Sequence, residues 1–121
     1  MKLSKTEEEL MRHIWRLQKA SLKELLECYP DPKPANTTIA TLLKRMYDKG
    51  CIDYQTIGKA RQYFPLVKET DYVSNRVEGI VENFFGNSAS RFASFFTKSS
   101  DMTKEELETL KRIIENEIDK K

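Results

Sequence analysis

The sequence predicts a mainly α-helical protein with one small β-hairpin, and three observations indicate this fold class. Apolar residues recur with helical spacing along six segments of the chain. Three of these segments begin with a serine or threonine followed three residues later by a glutamate, the pattern of a helix capping box. Two β-prone runs on either side of a glycine supply the hairpin, which lies between the third and fourth helical segments.

The first two helices are marked by their N-terminal caps. Ser4 and Glu7 form a capping box ahead of an apolar stripe, which predicts a first helix over residues 5–19. Ser21 opens the same pattern and predicts a second helix over residues 22–29. Three prolines at alternate positions follow, and each restricts its own backbone and that of the preceding residue. They predict an extended connector into the third helix.

The third helix, residues 36–49, carries an unusual outward face. Its apolar stripe predicts packing on a core and consists of Ile39, Leu42, Leu43 and Met46. The opposite arc carries hydroxyls, cations and one carboxylate: Thr37, Thr38, Thr41, Lys44, Arg45 and Asp48. Threonine contributes little to helix stability, so this face is suited to something else, and a nucleic acid is one candidate. The alternative is a solvated surface in which Arg45 pairs with Asp48.

Two β-prone runs, residues 52–57 and 62–67, flank a turn that contains Gly58 and predict a hairpin. Lys59 and Arg61 lie at or beside its tip, although almost any polar residue is common in such a turn. Three helices, the third polar on one face, followed by a basic-tipped hairpin describe a winged helix-turn-helix. The third helix of that fold enters the DNA major groove.

From about residue 70 onward the pattern is wholly helical, with an interruption at Gly86 and a capping box that opens at Thr103. Three helices with this many apolar residues are too few to bury their apolar faces within one small unit, so a second copy of the chain is expected to cover those faces. The residues expected in these buried contacts are Phe84, Leu110 and Ile114. Two domains are therefore predicted, a DNA-binding domain over residues 1–69 and a dimerisation region over residues 70–121.

Charge follows the same division. Residues 1–69 hold 13 Lys and Arg against 9 Asp and Glu, whereas residues 70–121 hold 8 against 10. The basic half is thus the candidate binding half.

Composition disfavours other classes of protein. There is no basic-then-apolar leader and no apolar run of about 18 residues, so we expect a cytoplasmic protein without membrane insertion. Cys28, Cys51 and the single His13 lack partners at metal-ligand spacing, so we expect no metal and no cofactor. No glycine-rich phosphate loop or nucleophile elbow suggests an enzyme.

Three stretches resemble the penicillinase-repressor family: LSKTEEELMRHIW at 3–15, NTTIATLLKRMYDKG at 36–50 and GKARQYFPLV at 58–67. Members of that family are dimeric winged-helix repressors of bacterial β-lactamase, methicillin-resistance and copper-homeostasis genes. The resemblance implies a recognition helix at 36–49, a wing at 52–66, a dimerisation region at 70–120 and an inverted-repeat DNA operator. The residues expected to contact DNA are Thr37, Thr38, Thr41, Lys44, Arg45, Lys59 and Arg61. The family commonly has arginine directly after the wing glycine, where this chain has Lys59, and this chain lacks the cysteine-rich tail of the copper-responsive members.

The resemblance also implies a mode of release from DNA. In antibiotic-responsive relatives, a membrane sensor with a zinc-protease domain leads to cleavage before a phenylalanine that precedes the final helix. The matching stretch here is RFASFFTKSS, where the bond is either Ser94–Phe95 or Phe95–Phe96. The asparagine that precedes the bond in the resistance repressors is absent. Two alternatives stay open: a regulator that binds a ligand in its aromatic C-terminal half, and a protein-interaction module without DNA binding.

Overall fold

Six α-helices and one two-stranded antiparallel sheet make up residues 2–121, the part of the chain that the computed structural model describes. The elements are α1 (Lys5–Leu17), α2 (Leu22–Glu27), α3 (Asn36–Asp48), β1 (Ile52–Ile57), β2 (Ala60–Pro65), α4 (Glu69–Phe84), α5 (Ala89–Ser99) and α6 (Lys104–Asp119). Their order and type are those that the sequence predicts. The first three helices end one or two residues earlier than predicted, and α1 ends because Gln18 adopts a φ of 65°.

The predicted capping boxes are all present. In α1, α2 and α6 a serine or threonine hydroxyl accepts the N–H three residues later, and the glutamate at that position accepts the N–H of the cap in return. Helix α5 begins with a simpler cap in which the Ser88 hydroxyl accepts the N–H of Arg91. These bonds satisfy donors that the first helical turn otherwise leaves to solvent.

The second strand of the hairpin was predicted two residues too late. Ile57 pairs with Ala60, so Gly58 and Lys59 alone form the turn, and Gly58 has the positive φ of 65° that such turns require. The strand ends at Pro65, and the next N–H, that of Leu66, donates to the Cys51 carbonyl at 2.9 Å. The β-branched and apolar residues after Pro65 resemble a strand in sequence but form the connection to α4.

A short bridge ties the hairpin to the connection between α1 and α2. The N–H of Ala20 donates to the Tyr63 carbonyl at 3.0 Å, and the N–H of Tyr63 donates to the Ala20 carbonyl at 2.7 Å. Ala20 is fully buried and Tyr63 nearly so. The base of the hairpin is therefore fixed to the helical body, whereas its tip extends into solvent.

The N-terminal unit ends at Arg76 and contains a continuous apolar core drawn from α1, α2, α3, the hairpin and the start of α4. The sequence predicts a boundary at 69/70, seven residues earlier than the division at 76/77. The difference arises because Tyr72 is buried, accepts the Leu3 N–H at 3.3 Å and donates to the Glu8 carboxylate. Arg76 also lies 3.7 Å from that carboxylate.

The C-terminal unit, residues 77–121, contains the end of α4 together with α5 and α6. Phe85 contacts Phe92 and Phe95, with ring centroids 5.6 and 5.4 Å apart. No residue between 77 and 121 is buried, and the side chains of Phe84 and Ile118 are 78% and 63% exposed. Within residues 2–121, no helix is long and apolar enough to cross a membrane.

Candidate nucleic-acid interface

The outward face of α3 is arranged as its spacing predicts. Its four apolar residues, Ile39, Leu42, Leu43 and Met46, are buried. The six polar residues of the opposite arc, Thr37, Thr38, Thr41, Lys44, Arg45 and Asp48, are all exposed. The core thus holds one side of the helix and leaves a row of short hydroxyls and two cations free to meet a partner.

An ion pair fixes the far end of α3 to α1. Lys49, the C-cap of α3, donates from Nζ to the Glu7 Oε1 at 2.7 Å, and the Glu7 side chain is almost fully buried. Burial raises the pKa of Glu7, but hydrogen bonds from Lys49 and Ser4 outweigh it and hold the pKa below its ordinary value. Glu7 therefore stays ionised at neutral pH and orients the end of the helix that leads into the hairpin.

The three threonines do not present equivalent groups. The Thr41 hydroxyl donates to the Thr37 carbonyl at 2.8 Å inside the helix. Its donor hydrogen is therefore used, and Thr41 offers its methyl group and an acceptor lone pair to a partner. No side-chain bond engages Thr37 or Thr38 within residues 2–121, so both can donate as well as accept.

The N-terminus of α3 has no side-chain cap. Ala35 is the N-cap and forms no side-chain hydrogen bond, and Asn36 is the first helical residue. Helices α1, α2, α5 and α6, by contrast, are capped by a serine or threonine hydroxyl. The N–H of Thr38 donates to the Ala35 carbonyl at 3.0 Å. The earlier N–H groups of the first turn, those of Asn36 and Thr37, receive no capping hydroxyl, and such groups contact phosphates in protein–DNA complexes.

Asp48 pairs with Lys44, not with Arg45 as the sequence alternative supposes. The Lys44 Nζ lies 3.1 Å from Asp48 Oδ2, at i and i+4 on the helix. Both side chains are more than half exposed, so the pair is weak and a phosphate can compete for the lysine. Within residues 2–121, Arg45 forms no salt bridge.

The structure separates the two hairpin cations that the sequence groups together. Lys59 lies in the two-residue turn and is exposed. Arg61 is on β2 opposite Thr56, and its guanidinium carbon lies 4.3 Å from the centroid of the Tyr54 ring. Lys59 is thus an exposed charge at the tip, whereas Arg61 is held against an aromatic face beside α3.

A cleft of about 330 Å³ separates α3 from the hairpin. Tyr47 from α3 and Tyr54 from β1 line it, with ring centroids 5.4 Å apart, and Tyr54 also contacts Tyr63 at 5.7 Å. Lys44 and Arg61 supply its positive charge. Sequence reasoning missed these tyrosines, because an aromatic residue in an amphipathic segment is ordinarily counted as core. Tyr47 is nonetheless 43% exposed.

The metal-binding side chains in residues 2–121 do not gather into a second chemical site. Within residues 2–121, no group of three or more His, Cys, Asp or Glu could hold a metal ion. His13 packs against Tyr29 with ring centroids 4.8 Å apart, and burial lowers the pKa of His13, so it is neutral at pH 7. Cys51 is buried and donates to the Met46 carbonyl at 3.2 Å.

The predicted dimerisation and cleavage residues lie in the C-terminal unit. Phe84 and Ile114 are exposed, Ile114 by 50%, and Leu110 is half-buried. Ser94, Phe95 and Phe96 are exposed residues in the middle of α5.

Known proteins resemble this chain over most of its length. The family model described as penicillinase repressor matches residues 3–116. The methicillin resistance regulatory protein MecI of Staphylococcus aureus (strain N315) is 29% identical over 113 residues, covering 93% of this chain and 92% of that protein. The penicillinase repressor of Bacillus licheniformis is 24% identical over 120 residues, covering 98% of this chain and 94% of that one.

A solved structure agrees with the predicted fold. The solution structure of the DNA-binding domain of the repressor BlaI matches with a TM-score of 0.52 and 28% identity, and covers 59% of this chain and 88% of that chain. The winged helix-turn-helix prediction is thereby confirmed. Since the family model spans nearly the whole sequence, this chain belongs to the penicillinase repressor family.

Proposed function

We propose that the protein is a dimeric, sequence-specific DNA-binding repressor of antibiotic-resistance genes. The observation that carries the proposal is the exposed row of threonines and cations on α3, held beside a basic hairpin. Two relatives are named for methicillin resistance regulation and penicillinase repression, and a third match is a repressor's DNA-binding domain. Together they favour control of resistance genes over an enzyme or a protein-interaction module.

The residue types divide into two roles. Thr37, Thr38 and Thr41 suit contacts with base edges or nearby phosphates, because hydroxyls bond to either and a threonine methyl packs on the thymine methyl. The cations neutralise phosphates, which fixes register and affinity but reads no sequence. The proposed phosphate contacts are Lys44, Arg45, Lys59 and Arg61.

Operator binding is tested by sequencing DNA fragments that copurify with the protein and measuring affinity for the enriched duplex against a shuffled one. We expect an inverted repeat whose half-sites lie about one helical turn apart. Replacing both Lys59 and Arg61 with Ala should lower affinity and flatten the slope of log K against log salt by about one unit per lost phosphate contact.

A matched control removes the same charge elsewhere. Arg12 and Arg16 are exposed on α1, outside α3 and the hairpin, and their double alanine variant should keep the wild-type slope. An unchanged slope in the hairpin variant would place the wing off the DNA. Equal affinity for enriched and shuffled duplexes would instead refute sequence-specific repression and favour the protein-interaction alternative.

A dimer built by the C-terminal unit is the second part of the proposal. The exposed apolar residues of α4 and α6 fit an interface better than a solvent surface, and Phe84, Leu110 and Ile114 are the proposed contacts. A two-fold dimer presents one α3 to each half of an inverted repeat. Monomer and dimer are distinguished by sedimentation of the full chain.

Proteolytic release is the third part, and it rests on the family resemblance. Cutting the Ser94–Phe95 or Phe95–Phe96 bond detaches α6 from α4 and weakens the proposed dimer, so operator affinity falls by mass action. Both bonds lie inside the hydrogen-bonded backbone of α5, so a protease needs α5 to open locally. The nearby Phe85–Phe95 contact at 5.4 Å opposes that opening.

The release step is tested in induced cells. After addition of a β-lactam, full-length protein is followed by immunoblot, and the new N-terminus of any fragment is sequenced. A fragment that begins at Phe95 or Phe96 supports cleavage. Intact protein together with full derepression would refute it and favour release by a ligand.

A further inference from the structure

The cleft between α3 and the hairpin has a composition that suits one chemical group. Two cations, Lys44 and Arg61, and three phenols, Tyr47, Tyr54 and Tyr63, line it. The cations only donate hydrogen bonds, and the phenol hydroxyls can donate as well. A partner rich in acceptors and negative charge, such as a phosphodiester, suits a lining of cations and phenols.

The dimensions of DNA bring a phosphodiester to this cleft. An α-helix with its side chains is about 10–12 Å across and the major groove is about 12 Å wide, so a helix lying in the groove fills it. The walls of that groove are the two sugar-phosphate strands. A hairpin packed beside the helix must then lie over one wall, and the space between helix and hairpin lies over its phosphates.

Tyr54 gives Arg61 a defined position there. The guanidinium carbon is 4.3 Å from the ring centroid, so the side chain is stacked before any partner binds. Stacking on an aromatic face keeps the N–H groups at the edge of the guanidinium plane, where they are suited to a bidentate contact with phosphate. Tyr54 itself contacts two further rings, those of Tyr47 and Tyr63, with ring centroids 5.4 and 5.7 Å away.

Resting on the proposed function, we infer that this cleft seats one operator phosphodiester, contacted by Arg61 and the Tyr47 hydroxyl, with Tyr54 as the positioning residue for Arg61. Lys59, in the exposed turn, contacts a different phosphate. Lys44 contributes charge once the phosphate displaces its exposed partner Asp48, now 3.1 Å away.

The experiment uses the full chain and the enriched duplex, in which each phosphodiester is replaced in turn by a neutral methylphosphonate. One position should lower wild-type affinity about tenfold or more, as expected for a lost charged hydrogen bond. In Arg61→Ala this loss should become much smaller, because the Arg61 contact is already absent and only the Tyr47 and Lys44 contributions remain, while the position sensitive to Lys59→Ala stays sensitive. Arg16→Ala is the control and should leave the whole profile unchanged.

The role of Tyr54 is tested in the same assay. Tyr54→Leu should reproduce the Arg61→Ala profile, flatten the salt slope by about one unit and add no further loss in the double variant. Tyr54→Phe keeps the ring and should keep the slope, whereas a folded Tyr54→Leu or Tyr54→Met variant with the wild-type profile would overturn the positioning role. Tyr47→Phe should reduce the loss at the same phosphate.

Two failures are distinguishable. Operator-specific binding without any methylphosphonate position that couples to Arg61 would overturn the cleft inference and leave the proposed function standing. No preference for the enriched duplex by the wild-type protein would remove the proposed function itself.

Discussion

The two units of this chain use the same helical devices but differ in what covers their apolar side chains. The N-terminal unit buries its apolar residues among three helices, a hairpin and the start of α4. The C-terminal unit has capped, amphipathic helices as well, yet no residue in its described range 77–121 is buried. Local sequence therefore specifies helices in both units, but only the first contains enough facing surfaces to enclose a core.

The exposed apolar side chains of the C-terminal unit favour its association with a second copy of the chain. Full burial of a large apolar side chain is worth about 1.5–3 kcal/mol, and several such side chains in α4 and α6 are 40% exposed or more. A second copy of the chain can supply the missing cover, so stability of the C-terminal unit should depend on protein concentration. Stability of the N-terminal unit should not.

Ending the chain after Arg76 should have the largest effect. The division lies there because Tyr72 and Arg76 contact α1, so residues 1–76 should remain a folded monomer. Loss of the second DNA-binding unit should lower operator affinity by about 10²–10⁴-fold, the usual gain from linking two binding modules. Sedimentation and duplex titration of the 1–76 fragment and of the full chain measure the oligomeric state and the operator affinity.

A shorter fragment sharpens the same comparison. Ending the chain at residue 69, the predicted boundary, removes the buried Tyr72 and should lower the melting temperature relative to residues 1–76. Should the 1–76 fragment still sediment as a dimer, the interface lies in the N-terminal unit and the contrast between the units is wrong.

Matched leucine substitutions should give the next largest effect. Leu43→Ala removes a side chain that is 1% exposed and should cost about 2–5 kcal/mol of unfolding free energy, independent of protein concentration. Leu107→Ala changes a residue that is 38% exposed and should act mainly by weakening association. Chemical denaturation at two protein concentrations a hundredfold apart separates these cases, and a concentration-independent loss at Leu107 would assign that residue to an intrachain core.

The Glu7–Lys49 pair makes the stability of the N-terminal unit depend on pH. The pKa of Glu7 is lower in the folded state than its model-peptide value of 4.5. Its ionisation therefore stabilises the fold above that value, and the stabilisation is lost as the pH falls through the folded-state pKa. Glu7→Gln should cost about 1.5–3 kcal/mol at pH 7, the range for hydrogen bonds to charged groups.

The pH profile provides the check on that substitution. Wild type and Glu7→Gln should converge in unfolding free energy as the pH falls below 4.5, while exposed Glu9→Gln should follow the wild type throughout. A difference that stays constant down to low pH would mean that the variant lost packing and not a charge interaction.

Much of the fold could be predicted from the sequence because its signals are local. Apolar spacing, the three capping boxes and Gly58 each act within a few residues, and each feature is present. The second strand was misplaced because its register depends on the turn and on the distant bridge between Ala20 and Tyr63. The contact between Tyr72 and Leu3 spans 69 positions, and no local pattern encodes it.

The candidate site was predictable to the same degree. Exposure of the α3 threonines and cations follows from helical periodicity alone. The stacking of Arg61 on Tyr54 does not, because it depends on the pairing of β1 with β2 and on which hairpin face meets α3. Asp48 lies four residues after Lys44 and three after Arg45, and helical spacing permits either ion pair. The structure shows the pair with Lys44.

Substitutions at helix N-caps should have the smallest effect on stability. They test whether the uncapped N-terminus of α3 contacts a partner. Ala35 already has the extended backbone of an N-cap, with φ −69° and ψ 150°. Ala35→Ser should therefore raise the unfolding free energy by about 1 kcal/mol, whatever the protein concentration. Thr103→Ala removes a capping box in the C-terminal unit. It should lower the unfolding free energy by a similar amount, but by weakening the association of two copies of the chain.

Operator affinity decides what the missing cap of α3 means. If its first-turn N–H groups contact a phosphate, the new serine hydroxyl competes for them, and Ala35→Ser should bind the enriched duplex more weakly although it is more stable. Ala35→Asp should bind more weakly still, because its carboxylate repels the phosphate at the same helix terminus. If both variants gain stability and keep their operator affinity, the uncapped N-terminus of α3 is not part of the interface.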